Sequence, residues 1–585
     1  MHIAGGALAA LVTWAVLVVA LILVGLAPAV TSHPGRSLKT LRVSMWWGLL
    51  IITLAVLLIN LFVPLRGPTA LWGLLGVAVV FAAAGLLAYS RRRAGIPLVV
   101  KSRLTSGSVV LLVVVGLGLA YMAVAALGPV TNYDTGLYHL GAIKYSGDYA
   151  TIPGIANLMN PIGYNNSLFP VAAVLGNGPW NGIGYRLVNG LFMAMMATDL
   201  LLRMLERRKS VGTYILLVSI VASWIPLIAL SDYWVTSPTS DSSVLILSLV
   251  AVSYFADSMQ KRVVAQPEAL VAVLLSVLIV AMRPTMVFFL ASIVVIIVVR
   301  MIKSRSVVPK FSKLPWICVA SLTAALFVVQ AVRDYRLSGW LEYPLSLVHF
   351  EVPWAAADPV YLRTATLGAA RDPQNLWSAA TGWAWVPAWF SHALTQWETY
   401  FFAVACAVAV ALSLLAWRRT KASPGRLLIA LTPSAITVAA WWCLSPPSYR
   451  FIWGPLFSLA LVPMGWALHS LSKGGWRFGR VRPFSTACYA GAGLVAALIV
   501  FCALVRLDLL SMTEARSFQF GPISLAYVVT PIPRPPTAPV TMTTGLVIQV
   551  PTQSDQCWDV YPLCASGMDS TVGMLGKSIQ DGFSH

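Results

Sequence analysis

About fourteen stretches of this sequence are apolar for long enough to cross a bilayer core, which takes about 20 helical residues. They run over 4–27, 44–65, 69–90, 107–130, 183–203, 212–230, 242–258, 268–285, 286–302, 314–332, 398–417, 427–447, 451–471 and 484–508. The 268–285 and 286–302 runs are joined only by "MRPT". Of the 585 residues 58% are hydrophobic and 10% charged, whereas charged residues make up about a quarter of a soluble globular chain. The expected fold is therefore an all-α polytopic membrane protein. The first run lacks a basic segment ahead of its apolar core, so it reads as a retained span rather than a cleaved signal.

The net charge of +20 raises the question of a nucleic-acid partner, and the distribution of that charge answers it. With the N-terminus outside, the connections 28–43, 91–106, 203–211, 259–267, 300–313, 418–426 and 472–483 are cytoplasmic. They and the adjoining span ends hold 27 of the 40 Lys and Arg, leaving 13 for the other side. The acids split the opposite way, with Asp199, Glu206, Asp257 and Glu268 on the basic side and the other 16 outside. Clusters such as "RRRAG" and "AWRRTK" are thus positive-inside topology signals, not a nucleic-acid footprint. This orientation predicts that both termini are extracytoplasmic.

The chain then divides into six regions. Residues 1–130 are N-terminal transmembrane helices, and 131–182 a first large extracytoplasmic loop with one or two interfacial helices. A transmembrane core over 183–332 precedes a second large extracytoplasmic loop over 333–397, rich in Trp, Pro and Tyr. C-terminal transmembrane helices over 398–508 lead into an extracytoplasmic tail, 509–585, strand-like at "TGLVIQV". Cys318, Cys406, Cys443, Cys488 and Cys502 lie in apolar spans as small buried thiols. Cys557 and Cys564, in "QCWDVYPLC" on the oxidising side, suit one disulfide closing a tight loop.

Chemistry concentrates at the outer span ends. In "TNYDTGLYHLGAIKY", Asp134 sits where water meets hydrocarbon, near Tyr138, His139 and Lys144. A partly desolvated carboxylate there can serve as a general base, and it can equally cap the following helix. In "SDYWVTSPTSDSS", Asp232 and Asp241 bracket an aromatic pair, and Asp241 is either a helix cap or a second functional acid. Arg283 in "VAMRPTM" and Arg450 in "SPPSYRF" can bind phosphate through a planar guanidinium or snorkel to headgroups. Snorkelling accounts for Arg186. His349 and Glu351 form an HxE pair that could contribute to a divalent-metal site. Together these groups suggest one pocket for an anionic lipid-linked substrate and a polar acceptor.

The order of "YDTGLYHLGAIKY", "IPGIANL", "YNNSLF", "SPTSD", the "YPL…VPW" loop, "SPPSYRF" and "QCWDVYPLC" resembles a group of bacterial polytopic membrane proteins. More broadly it resembles glycosyltransferases of the C superfamily (GT-C fold), over about residues 131 to 570. That resemblance implies a polyprenyl-phosphate sugar donor, a glycan or lipid acceptor, contact with membrane lipids and a site on the outer face of the bacterial plasma membrane. It maps the superfamily's early-loop Asp onto Asp134, as the base of an inverting transfer, with Arg283 or Arg450 holding the departing phosphate. The superfamily often pairs that acid with a second one, and here Thr135 and Gly136 follow instead. The alternative is a transporter or flippase of a lipid-linked sugar.

Overall fold

The structure, a computed structural model, describes residues 2–32, 37–91, 104–206, 208–229, 234–260, 264, 266–304, 313–357, 359–421, 424–506, 511–520 and 522–585. Among these, 13 helices are long and apolar enough to cross a membrane. With the apolar 17-residue helix Gln266–Met282 they make fourteen, one for each apolar run of the sequence. At 1.5 Å per residue that helix is roughly 25 Å long, close to the thickness of the hydrocarbon core. The protein is an all-α polytopic membrane protein.

Hydroxyl side chains start several spans. Ser37 accepts from the Thr40 amide (3.2 Å), Thr105 from Ser108 (3.2 Å) and Ser210 from Thr213 (3.3 Å). Each satisfies one of the amides a helix start leaves unpaired. Between spans, small residues allow close approach, as is usual in lipid. Helix His2–Val24 and its neighbour Leu38–Asn60 meet at Gly25 and Gly48. A Cβ on Gly25 would lie 2.5 Å from the Gly48 nitrogen, and one on Gly48 would lie 2.7 Å from the Leu21 carbonyl carbon.

Helix Ser240–Ser258 is buried along its whole length, whereas Pro68–Arg91 and Trp397–Thr420 are largely exposed and suited to face lipid. The buried helix carries Asp241 at its start and Asp257 at its end. At the Asp257 end, Arg203 bonds Asp199 (2.6 Å) and Asp257 (2.7 Å) with no exposure to solvent. Tyr254 and Trp46 donate to the second Asp199 oxygen, each at 2.7 Å. Two carboxylates on one guanidinium, with their remaining oxygens bonded, make burial of the ions tolerable.

At the opposite end, 131–182 folds into short helices that include Thr135–His139, Leu140–Asp148, Ile155–Leu158 and Leu168–Leu175. These pack in one apolar cluster with Cys557, Cys564, Val572 and Phe583 of the C-terminal segment. That segment is built of antiparallel two-stranded pairs, Glu514–Phe520 with Ile523–Val529 and Thr537–Thr541 with Val547–Pro551. The "TGLVIQV" stretch contributes the strand Val547–Pro551, in register Thr537 to Pro551. A further short pair, Gly573–Met574 with Phe583–Ser584, closes the chain.

Candidate functional site

Local sequence shapes each part of the site. Past the helix Ser106–Ala125, Asn132 accepts through Oδ1 from the Thr135 amide and hydroxyl, both at 3.2 Å. This starts the π-helical turn Thr135–His139. Such turns are rare and often mark functional sites. Asp134 has helical dihedrals but makes no capping bond. Its Oδ2 accepts instead from Arg450 Nη1, at 2.6 Å. Arg450 lies in the short turn Tyr449–Phe451, set by Pro446 and Pro447, which end the helix Gly425–Leu444.

The second pair is built in the same way. Thr239, not Asp241, caps Ser240–Ser258, accepting from the Asp241 amide at 3.2 Å. The Asp241 carboxylate, free of the capping role, pairs with Arg283 Nη2. Arg283 stands where Pro284 interrupts the chain between two helices. A residue before proline is driven to extended backbone, and Arg283 has φ −150° and ψ 96°. Its Nη2 also donates to Ser240 Oγ (3.2 Å), while Nη1 is buried without a hydrogen-bond partner among the described residues.

Both guanidiniums lie against the ring of Phe451, Arg283 at 4.7 Å and Arg450 at 5.1 Å from its centroid. The two acid–arginine pairs therefore form one cluster at one end of the bundle. Burial opposes the charge of Arg450, but the Asp241 and Asp134 carboxylates overrule it and raise its pKa further. Tyr138 and His139 flank the cluster on the buried side. His139 is 2% exposed, edge-on to Tyr138 at 4.4 Å, with Nδ1 3.3 Å from Thr135 Oγ1. Burial pushes its pKa down to about 3, so the imidazole is neutral near pH 7. Burial first, and the Asp134 charge second, holds the Tyr138 hydroxyl well above its usual range.

The C-terminal segment grips the Asp134 turn from outside. Trp558 donates its backbone amide to Gly136 O (2.9 Å), and Gln556 Nε2 donates to Tyr133 O (2.7 Å). The Tyr133 hydroxyl bonds Asp555. Lys144, rather than joining the cluster, donates to Asp559 Oδ1 at 2.5 Å, and Arg534 reaches the other oxygen at 2.8 Å. The Cys557–Cys564 disulfide closes the gripping loop.

Other candidates lie elsewhere. His349 is exposed, its ring tilted by 39° against Trp340 with centroids 4.4 Å apart, and Glu351 is exposed. Among the described residues no three His, Cys, Asp or Glu side chains gather where they could hold a metal ion. Asp232 lies outside the described residues. Arg186 does not snorkel. It is fully buried, donating to the carbonyls of Leu127 (3.2 Å), Gly128 (2.7 Å) and Thr530 (2.7 Å), where the segments that follow helix Ser106–Ala125 and strand Ile523–Val529 meet.

Sequence reasoning passed over Phe451, although it lies within the quoted "SPPSYRF". It also passed over Glu398, whose only signal is an acid at the start of an apolar run. A cavity of about 360 Å³, lined in part by Glu398 and Arg450, opens beside the cluster.

Fold and site together define a polytopic membrane protein with a paired acid–arginine centre at one end of its helical bundle. The chain belongs to the family described as "Domain of unknown function (DUF8201)", whose model matches residues 8–457. No curated protein matches it. Among solved structures it is similar to the arabinosyltransferase EmbB from Mycobacterium smegmatis, at 13% identity and a TM-score of 0.36. That similarity covers 75% of this chain and 42% of EmbB, so the chain spans less than half the length of that enzyme.

Proposed function

We propose that this chain is a membrane glycosyltransferase of the GT-C type, moving a sugar from a polyprenyl-phosphate donor to an extracytoplasmic glycan or lipid acceptor. The observation that carries the reading is the cluster itself. Two carboxylates and two guanidiniums meet at the membrane edge, and Arg283 Nη1 has no acceptor among the described residues. A buried guanidinium nitrogen in that state suits a phosphate oxygen, which pairs well with a planar cation. The excess of Lys and Arg in the loops at the far end supports an outward orientation for this end, in a bacterial plasma membrane.

In this reading Asp134 takes the proton of the acceptor hydroxyl as its oxygen attacks the anomeric carbon. The bond from that carbon to the phosphate oxygen breaks, with inversion. Polyprenyl phosphate leaves as an anion and needs no proton, only the positive field of Arg283 and Arg450. Asp241 keeps Arg283 in place before the donor arrives. The donor's lipid tail lies between spans, which accounts for a site at the membrane edge.

The test is reconstitution in liposomes with a radiolabelled polyprenyl-phosphate sugar and candidate acceptors. Label appearing in a new glycan, with release of polyprenyl phosphate, is the expected result. Movement of intact donor between leaflets, without consumption, would replace transfer by transport.

A further inference from the structure

Glu398 occupies a position that a carboxylate does not hold without a reason. It is 5% exposed and sits in the first turn of Trp397–Thr420, where the helix end favours negative charge. Its Oε1 accepts from Trp453 Nε1 at 2.9 Å. Its Oε2 is buried with no hydrogen-bond partner among the described residues. An unpaired buried carboxylate oxygen is costly, and its persistence calls for a donor from elsewhere.

Glu398 lines the cavity of about 360 Å³ beside the site, together with Trp234, Trp389, Trp397, Tyr449 and Arg450. That volume falls at the lower end of ligand pockets, which span roughly 300–1,000 Å³. The wall is aromatic with a few polar groups, and its chemistry narrows the occupant. A lipid chain would leave Glu398 and Arg450 facing hydrocarbon. A cationic ligand would meet the Arg450 charge. A metal ion would find Glu398 and His392 but no third His, Cys, Asp or Glu ligand among the described residues. A sugar ring meets every demand, since its hydroxyls donate to Oε2 and its C–H face packs on the aromatic rings.

We propose that this cavity is a saccharide subsite, with Glu398 Oε2 accepting from a ring hydroxyl. The inference deepens the glycosyl-transfer reading and rests on it for the choice of a sugar as ligand. Arg450 joins the two places, since it lines the cavity and bonds Asp134 at 2.6 Å. A ring seated here would lie against the guanidinium that holds the Asp134 carboxylate. The ring can belong to the acceptor or to the donor headgroup, and the chemistry of Glu398 is the same for both.

The experiment is saturation-transfer NMR on the full chain in lipid nanodiscs, free of sugar-based detergent. One probe set is methyl glycosides of common hexoses and pentoses, and the other is the corresponding sugar 1-phosphates. Ring-proton saturation is expected from at least one set, weakened about tenfold or more by E398Q, which loses a charged acceptor. A369W, which places an indole from an exposed rim position into the cavity, should weaken it as well and covers the case in which E398Q fails to fold. Signal from methyl glycosides assigns the cavity to the acceptor ring, and signal from sugar 1-phosphates alone assigns it to the donor ring. The proposal is overturned if neither set receives saturation, or if saturation survives both variants. Binding without any transfer would remove the transfer reading and leave the subsite standing.

Discussion

Gly136 is the point at which the C-terminal loop meets the turn that carries Asp134, and replacing it with alanine tests how that contact works. An added Cβ would lie 2.6 Å from Trp558 Cδ2 and 2.7 Å from Cζ2, with Cε2 nearer still. The ring has little freedom to retreat, because the Trp558 amide is bonded to Gly136 O and the neighbouring Cys557 is in the disulfide. Overpacking of this kind costs about 1–3 kcal/mol. Gly136 also lies in a helical turn, where alanine alone is favoured over glycine by about 1 kcal/mol. The two effects separate in a double-mutant cycle. Gly136→Ala should lower the thermal unfolding midpoint and raise hydrogen exchange over 133–145 and 555–564. In a Trp558→Ala background the same change should be neutral or stabilising, which implies a coupling of about 1–3 kcal/mol, the overpacking cost itself. Equal losses in both backgrounds would show that Trp558 does not press on the turn, and the clamp would be discarded.

Three further outcomes follow from the same structure. Replacing Cys557 and Cys564 with Ser removes a cross-link at a sequence separation of 7, worth roughly 2.5 kcal/mol in the loop-entropy model. Hydrogen exchange over 131–148 should rise in step, and unchanged exchange there would detach the loop from the site. His139, buried neutral with a pKa pushed down to about 3, binds fewer protons folded than unfolded. Stability is then fully present above pH 6.5 and falls as pH drops toward 3, by up to about 1.4 kcal/mol per pH unit. His139→Gln should flatten that slope, and an unaltered acid profile would show that another group sets it. Arg203→Met leaves Asp199 and Asp257 buried without their cation and should cost about 3–5 kcal/mol, read as loss of folded protein on extraction. Normal yield and melting would mean that the network does not hold the bundle.

What could be read in advance divides along physical lines. Each span announces itself within about 20 residues of its own sequence, so even the break at "MRPT" separates Gln266–Met282 from Val287–Ser304. Pairing is a different matter. Asp134 and Arg450 are 316 residues apart, and only the packing of the bundle brings them together. Charge alternation along the chain put both at the same end, which narrowed the choice without naming the partners. Helix caps were ambiguous because Thr239 and Asp241 can both cap, and only the backbone geometry chooses Thr239. Arg186 misled because a lone arginine at a span end looks the same in sequence whether it reaches lipid or three converging carbonyls. Glu398 went unnoticed for the same reason, since an acid in a first turn has an ordinary explanation.

One substitution tests directly whether Asp134 acts as a general base. Asp134→Asn keeps the shape of the side chain and can still accept a bond from Arg450, at the cost of the charged partner. The variant should fold, purify and bind a polyprenyl-phosphate sugar. An amide cannot take the acceptor's proton, so the rate of transfer to the acceptor, measured in single turnover with labelled donor, should fall about 100-fold to 10,000-fold. Transfer within a few-fold of the parent protein, at equal donor binding, would contradict the account and leave Asp134 as the ion-pair partner of Arg450 and nothing more.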